Sequence, residues 1–167
     1  MKQIICGLLT AFALIGFGRA DLQAEQQPEQ TPTVITSDGP LEVDFTKNMA
    51  VFKENVCIKD ERGEVYSDRM DVYFDNDSRQ VHFVEALGNV VIYVNDKIAK
   101  SEKATYKVSE GLLVLTGNPR IMEDKNIYSA DKITIFRKDG QTEMKLEPRA
   151  KLILYRDEKD NGSGLLF

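Results

Sequence analysis

The sequence predicts an all-β fold: a sandwich, jelly roll or solenoid built from about sixteen short antiparallel strands. From Thr33 onward no segment places apolar residues at helical spacing, whereas Val, Ile, Tyr and Phe recur at alternate positions. Turn-forming groups such as Asp38-Gly39-Pro40 and Asp75-Asn76-Asp77 separate these runs at intervals of about eight residues. An internal repeat runs through the same region, and repeated units of this size stack to bury their apolar faces.

Residues 1–32 precede the predicted strands. Lys2, the apolar run over 4–17 and the small residues in Gly18-Arg19-Ala20 are typical of a secretory signal peptide cleaved after Ala20. The apolar run is shorter than the roughly twenty residues that span a bilayer. We therefore predict a signal peptide over 1–20, a polar disordered leader over 21–32 and a periplasmic protein.

The β domain is predicted to fill residues 33–155, followed by a flexible Gly/Ser-rich tail over 156–167. Turn residues bound each predicted strand. The strands are predicted near 33–37, 41–45, 49–53, 56–59, 63–67, 70–75, 80–84, 89–94, 97–101, 104–108, 111–115, 118–123, 126–130, 133–137, 142–146 and 151–155.

Charge and cysteine content exclude several classes of protein. The net charge is −5, and removal of Lys2 and Arg19 with the signal peptide makes it −7. An acidic chain without a basic cluster is a poor candidate for binding nucleic acid. Of the two cysteines only Cys57 lies outside the signal peptide, so no internal disulfide is expected.

The repeat consists of an Asn followed, thirteen positions later, by an acid, a base and an apolar residue. Its copies begin at Asn55, Asn89 and Asn118, with fainter copies at Ser37-Asp38 and over 146–149. We interpret the acid–base pairs as turn and edge chemistry at the starts of strands. Beyond each acid, alternate residues are mostly apolar, which predicts one aligned apolar face in the interior.

Catalytic motifs are missing from the sequence. His82 is the only histidine and is interpreted as an ordinary strand residue. There is no nucleophile elbow, zinc motif, glycine-rich phosphate loop or Cys-x-x-Cys pair. Asp75-Asn76-Asp77 lacks the later residues of a calcium loop and is interpreted as a hairpin turn. We therefore predict no catalytic site, no cofactor, no metal site and no enzymatic activity.

Five segments resemble the LptA/OstA-like family of periplasmic lipopolysaccharide-transport proteins: residues 34–38, 50–56, 67–70, 115–118 and 130–134. The last two segments, at their separation and behind a signal peptide, are the most specific. The resemblance covers residues 33–155. This chain departs from the family pattern by carrying Glu in place of Gly before the first Asn, and by a Pro after the third Asn that favours an edge or bulged strand.

The resemblance implies an open-ended β-jelly roll that holds the acyl chains of lipid A in its interior. It also implies a bridge from an inner-membrane export complex to an outer-membrane translocon, formed by end-to-end homo-oligomers. The residues expected to line the lipid path are Ile35, Val43, Met70, Val72, Phe74, Phe83, Ile92, Ala104, Tyr106, Ile121, Ile133 and Ile135.

Two alternatives remain open at the level of the sequence. One is a membrane-anchored, LptC-like partner of the same fold, which would keep the N-terminal apolar segment. The other is a structural β-solenoid or assembly protein that carries no lipid, in which the apolar face is only a packed core.

Overall fold

A computed structural model describes residues 32–138 and 141–155. In these residues the chain forms antiparallel strands in one twelve-stranded sheet, together with a single 3-10 turn at Val108–Glu110. The strands are β1 (Val34–Thr36), β2 (Leu41–Asp44), β3 (Met49–Asp60), β4 (Gly63–Phe74), β5 (Val81–Val94), β6 (Lys97–Lys107), β7 (Leu112–Thr116), β8 (Arg120–Glu123), β9 (Asn126–Ser129), β10 (Lys132–Lys138), β11 (Gln141–Glu147) and β12 (Lys151–Ile153).

The all-β prediction is confirmed, and the difference in strand number has a simple cause. Each of β3, β4, β5 and β6 combines two consecutive predicted strands, so the twelve observed strands cover the same sequence as the roughly sixteen predicted ones. The turn-like residues in the middle of these strands bend the chain without ending its hydrogen-bonded ladder. The predicted signal peptide, most of the leader and the tail lie outside the described residues.

The sheet is organised by the four long strands. They follow one another in the order β3-β4-β5-β6, and shorter strands attach to either end of each outer strand: β1 and β2 to β3, β7 and β8 to β6. The strands thus form two half-sheets. The first contains β1, β8, β9 and β12 with one half of each long strand, and the second contains β2, β7, β10 and β11 with the other half. Each long strand therefore contributes one of its halves to each half-sheet.

The bends between the half-sheets are β-bulges. The pairing of β3 with β4 shifts register between Lys53 and Val56, and the pairings of β5 with β4 and with β6 shift register around Gly88 and Asn89. The residues at these points adopt left-handed backbone conformations, with φ of 65° at Glu54, 75° at Gly88 and 46° at Asn89. Asn and Gly tolerate this conformation better than other residues, so the Asn of the repeat marks the bend.

The acid of the repeat stabilises the bend. The Asn55 side chain donates a hydrogen bond to Asp38 at 2.8 Å, and Asn89 donates one to Asp68 at 2.8 Å. Arg149 takes the place of Asn at the last bend and donates to Asp131. In these three pairs the acid of one unit bonds the bend residue of the next unit, whereas at the remaining bend the backbone N–H of Glu102 donates to the Gly117 carbonyl at 3.0 Å.

The interpretation of the acid–base pairs needs one correction. In β4 and β6 these pairs lie in the middle of a strand, at its bend, and not at its start. The bases point outward and form ion pairs, as Arg69 does with Asp71 at 2.7 Å and Lys103 does with Glu85.

The core consists of inward-facing residues that lie directly opposite one another across the strands. Hydrophobic side chains of both half-sheets form one buried cluster, in which Met70, Leu115 and Ile133 are fully buried. One row crosses the second half-sheet through Phe52, Met70, Ala86, Ala104, Leu115, Ile133 and Leu146. The other crosses the first half-sheet through Ile35, Ile58, Val65, Ile92, Ala99, Ile121 and Tyr128.

None of the helical segments in the described ranges has the length and apolar character needed to cross a membrane.

Candidate binding cavity

An apolar cavity of about 390 Å³ lies between the two half-sheets. Ile58, Val65 and Ile92 line it from the first half-sheet, while Val72 and Leu113 line it from the second. Because the long strands bend sharply at their bulges, inward-facing side chains of both halves meet across this space. Its volume falls within the range of about 300–1,000 Å³ that is typical of small-molecule sites.

Half of the residues predicted to line the lipid path contribute to this cavity. They are Ile35, Met70, Val72, Ile92, Ala104 and Tyr106.

Four further predicted residues belong to the apolar interior but not to the wall of the cavity. Ile121 and Ile133 are buried in the core cluster, and Phe74 and Ile135 pack against it. Val43 faces the same way as its buried neighbour Ala50, but it lies on the short outer strand β2 and is 48% exposed.

The interior position predicted for Phe83 is wrong. Phe83 lies opposite Tyr73 in the ladder and packs against its ring at a centroid distance of 5.6 Å, on the outer face of the sheet. The register shifts between the pairs Tyr73–Phe83 and Phe74–Val81, so His82 is an extra residue in β5. Alternation along the strand is broken at this bulge, which directs Val81 and Val84 inward instead.

Sequence reasoning missed several wall residues and the charged residues that line the cavity. Val65, Val84, Ala86 and Leu113 follow the same alternation as the predicted residues, which could have identified them. The charged residues could not be found in this way, because they belong to the β3–β4 hairpin turn and lie outside the repeat. Charged groups in an otherwise apolar wall are its main polar feature.

Three charged residues of this hairpin line the cavity: Asp60, Arg62 and Glu64. The Arg62 side chain donates to Asp60 Oδ2 from Nε at 3.0 Å and from Nη2 at 2.5 Å, and its backbone N–H donates to Oδ1 at 2.9 Å. These bonds from Arg62 lower the pKa of the Asp60 carboxyl and raise the pKa of the Arg62 guanidinium. Both groups are therefore charged at neutral pH.

Glu64 points to the outer face, where other groups satisfy its carboxylate. Lys59 Nζ donates to it at 2.5 Å and Tyr66 Oη donates at 2.6 Å. The hydrogen bond from Lys59 is the main reason that the pKa of Glu64 is lowered. The Asp60–Arg62 pair is consequently the charged group most directly available at the rim of the cavity.

The other sequence candidates for chemistry are structural. Asp75 accepts hydrogen bonds from the backbone N–H groups of Asp77 and Ser78, so this segment forms a turn, as interpreted from the sequence. His82 is exposed and lies beside the ring of Tyr73. Within the described part of the chain, no group of three or more His, Cys, Asp or Glu residues could hold a metal ion.

Comparison with known proteins agrees with this architecture. Residues 34–141 match the family model described as "LptA/(LptD N-terminal domain) LPS transport protein". The structure is similar to the crystal structure of LptH, the LptA-homologous periplasmic component of the lipopolysaccharide transport device of Pseudomonas aeruginosa, with a TM-score of 0.64. The match has 14% identity and covers 75% of this chain and 96% of the LptH chain, so it establishes the fold. No curated protein matches the chain.

Proposed function

The chain belongs to the LptA/LptD N-terminal domain family of lipopolysaccharide transport proteins, and from this premise we propose that it is a non-enzymatic periplasmic carrier of lipopolysaccharide. The acyl chains of the lipid occupy the cavity between the half-sheets. The observation that carries the proposal is an unfilled apolar space inside a sheet whose other inward-facing residues are packed into a core.

The cavity suits hydrocarbon for a thermodynamic reason. Each methylene moved from an apolar environment into water costs about 0.8 kcal/mol, so an acyl chain crosses an aqueous space at low cost only inside an apolar enclosure. The wall offers Val, Ile, Leu, Met and Ala side chains over most of its surface. Such a wall makes no directional bonds to hydrocarbon, which allows the chain to slide as well as bind.

The ends of the sheet support assembly into a longer path. At one end, β1 and β2 each pair only with β3, and at the other end β11 pairs only with β10 and β12 only with β9. Each of these strands leaves one edge of backbone donors and acceptors unpaired by the described strands. We propose that the β11/β12 end of one copy adds to the β1/β2 end of the next, forming a bridge between an inner-membrane export complex and an outer-membrane translocon.

A proline in β11 tests this mode of assembly. Proline lacks the N–H that an added strand would use. Along β11 every second N–H points to the free edge of the sheet, so one of the two variants Glu143→Pro and Met144→Pro removes a donor at that edge. We expect wild-type protein to form larger species as its concentration rises in sedimentation experiments, and one of the two variants to remain monomeric while keeping its β-sheet circular dichroism. Equal assembly of all three proteins would contradict strand addition at this end.

Site-specific photo-crosslinking tests the cargo and its location. Tyr106 lines the cavity, whereas Tyr73 lies on the outer face, so the same crosslinking amino acid at the two positions forms a matched pair. We expect lipopolysaccharide to be captured from position 106 and not from position 73. Equal capture of lipopolysaccharide at both positions would favour the structural β-protein instead. So would no capture at either position together with a purified protein that contains no lipid.

A further inference from the structure

The β3–β4 hairpin places one ion pair at the rim of the cavity. The hairpin turn joins the two strands between Asp60 and Gly63, and the same cavity is lined by Val94 at the end of β5, Tyr106 near the end of β6 and Val108 in the following 3-10 turn. These residues lie at strand ends or in turns, away from the bends that join the half-sheets. The side of the cavity opposite the bends is therefore the side where polar groups meet the apolar interior.

The two partners of the ion pair differ in their access to solvent. The Asp60 side chain is 13% exposed and the Arg62 side chain is 64% exposed. The bonds from Nε and Nη2 to Asp60 use two of the five N–H donors that a guanidinium carries. The Asp60 carboxylate thus fixes the orientation of the Arg62 guanidinium, and the Arg62 side chain remains largely exposed to solvent at the rim.

We propose that Arg62, positioned by Asp60, binds the anionic phosphate headgroup of an amphiphile whose hydrocarbon chain occupies the cavity. This inference rests on the proposed carrier function and adds to it a polar recognition group and an orientation for the lipid. Phosphate is the favoured chemistry because a planar guanidinium forms paired hydrogen bonds to its oxygens. Asp60 accepts from Nε and Nη2, so the phosphate would bind at the remaining N–H donors of the guanidinium while Asp60 keeps its orientation.

Calorimetry with two amphiphiles of equal chain length tests the inference. Dodecyl phosphate carries an anionic headgroup, and dodecyl maltoside carries an uncharged one. We expect Arg62→Gln to weaken binding of dodecyl phosphate about tenfold and to leave binding of dodecyl maltoside unchanged, because one charge-assisted contact at a partly solvated rim is lost.

Three controls separate this role from a structural one. Arg62→Lys keeps the charge without the paired geometry and should recover part of the affinity for dodecyl phosphate that Arg62→Gln loses. Thermal unfolding without ligand identifies any variant that changes the fold. Inorganic phosphate distinguishes a lipid headgroup from free phosphate: we expect no binding at concentrations at which dodecyl phosphate binds.

The outcomes distinguish failure of this inference from failure of the carrier function. If neither amphiphile binds wild-type protein, both proposals are wrong. If both bind, and Arg62→Gln changes their affinities equally or not at all, the headgroup role is wrong and the carrier function stands. If inorganic phosphate binds as tightly as dodecyl phosphate, the site recognises free phosphate and the assignment to a lipid is overturned.

Discussion

At the scale of single residues, burial separates side chains that hold the fold from those that only share a face with them. Leu115 and Leu41 lie in the same cross-strand row of the second half-sheet. Leu115 is fully buried, whereas Leu41, on the outer strand β2, is 53% exposed. The same residue type in the same row therefore has two different energetic roles.

This contrast gives the first prediction. Leu115→Ala leaves a cavity in the packed core and should lower the free energy of unfolding by about 2–5 kcal/mol. Leu41→Ala should change it by less than about 0.5 kcal/mol, because its side chain is largely in water already. Chemical denaturation of the two variants measures both values, and similar losses would contradict the assignment of the core.

A second prediction concerns acid stability and Glu147. Hydrogen bonds from Lys132 and Lys145, at 2.8 and 2.7 Å, lower the pKa of Glu147 from 4.5 to about 2. A carboxyl whose pKa is lower in the folded state stabilises the fold above its unfolded pKa, and this contribution is lost as the pH falls from about 4.5 to about 2. Glu147→Gln should therefore lose less thermal stability than wild type over this interval.

Thermal melts at several pH values measure this difference between wild type and Glu147→Gln. The effect should be small, because the Glu147 side chain is partly exposed and solvent screens its ion pairs. Glu143→Gln is the matched control, since Glu143 makes no ion pair among the described residues. A control with the same altered pH profile would show that general loss of negative charge is responsible.

At the scale of structural elements, the bends decide the fold. A left-handed backbone lets β3 and β5 turn from one half-sheet to the other without losing their pairing. The second bend has Gly88 and Asn89, and a Cβ atom at position 88 would collide with Asp68. The first bend has Glu54 at φ 65°, a conformation that is strained for a residue with a side chain.

The two bends predict substitutions of opposite sign. Glu54→Gly should raise the free energy of unfolding by about 0.5–1 kcal/mol, because relief of the left-handed strain exceeds the entropy cost of glycine. Gly88→Ala should lower it by about 1–2 kcal/mol, because the new Cβ is strained and disturbs the bond from Asn89 to Asp68. Denaturant unfolding of both variants tests this, and a shift in the same direction for both would contradict the strain argument.

At the scale of the whole molecule, some apolar side chains belong both to the packed core and to the wall of the cavity. Ala104 lies in the core row and also lines the cavity. The small side chains Ala86 and Ala104 lie opposite each other in β5 and β6, and larger residues there would occupy the space. Open volume thus depends on small residues at two adjacent positions.

This dependence predicts the effect of filling the cavity. Ala104→Phe should lower lipopolysaccharide binding, because its ring occupies volume that acyl chains need. Thermal unfolding of the unliganded variant separates loss of lipid binding from strain in the core row, in which Ala104 lies between Ala86 and Leu115. Lipopolysaccharide-dependent increases in melting temperature measure the effect, which ligand linkage relates to binding. Ala104→Ser is the control of similar size, and an equal increase in wild type and Ala104→Phe would exclude the cavity as the lipid site.

The sequence by itself determined the all-β class, most strand positions and their apolar face, and it marked the bends only as breaks between predicted strands. These features are local: side chains alternate along a strand whatever it pairs with, and Asn or Gly is favoured wherever the backbone is left-handed. Alternation alone is therefore enough to place Met70, Val72 and Ile92 in the interior. The repeat is likewise recognisable from its Asn residues and acids, because the same bend recurs in each unit.

Only the tertiary structure decided which predicted strands are continuous, where the cavity opens and which charges reach its rim. These features depend on pairing between residues far apart in sequence and on the angle at each bend. The misplacement of Phe83 shows the limit, since one extra residue in a bulge reverses the direction of every side chain beyond it. Arg62 shows the same limit, because a hairpin turn acquires a role at the cavity only when the opposite half-sheet folds over beside it.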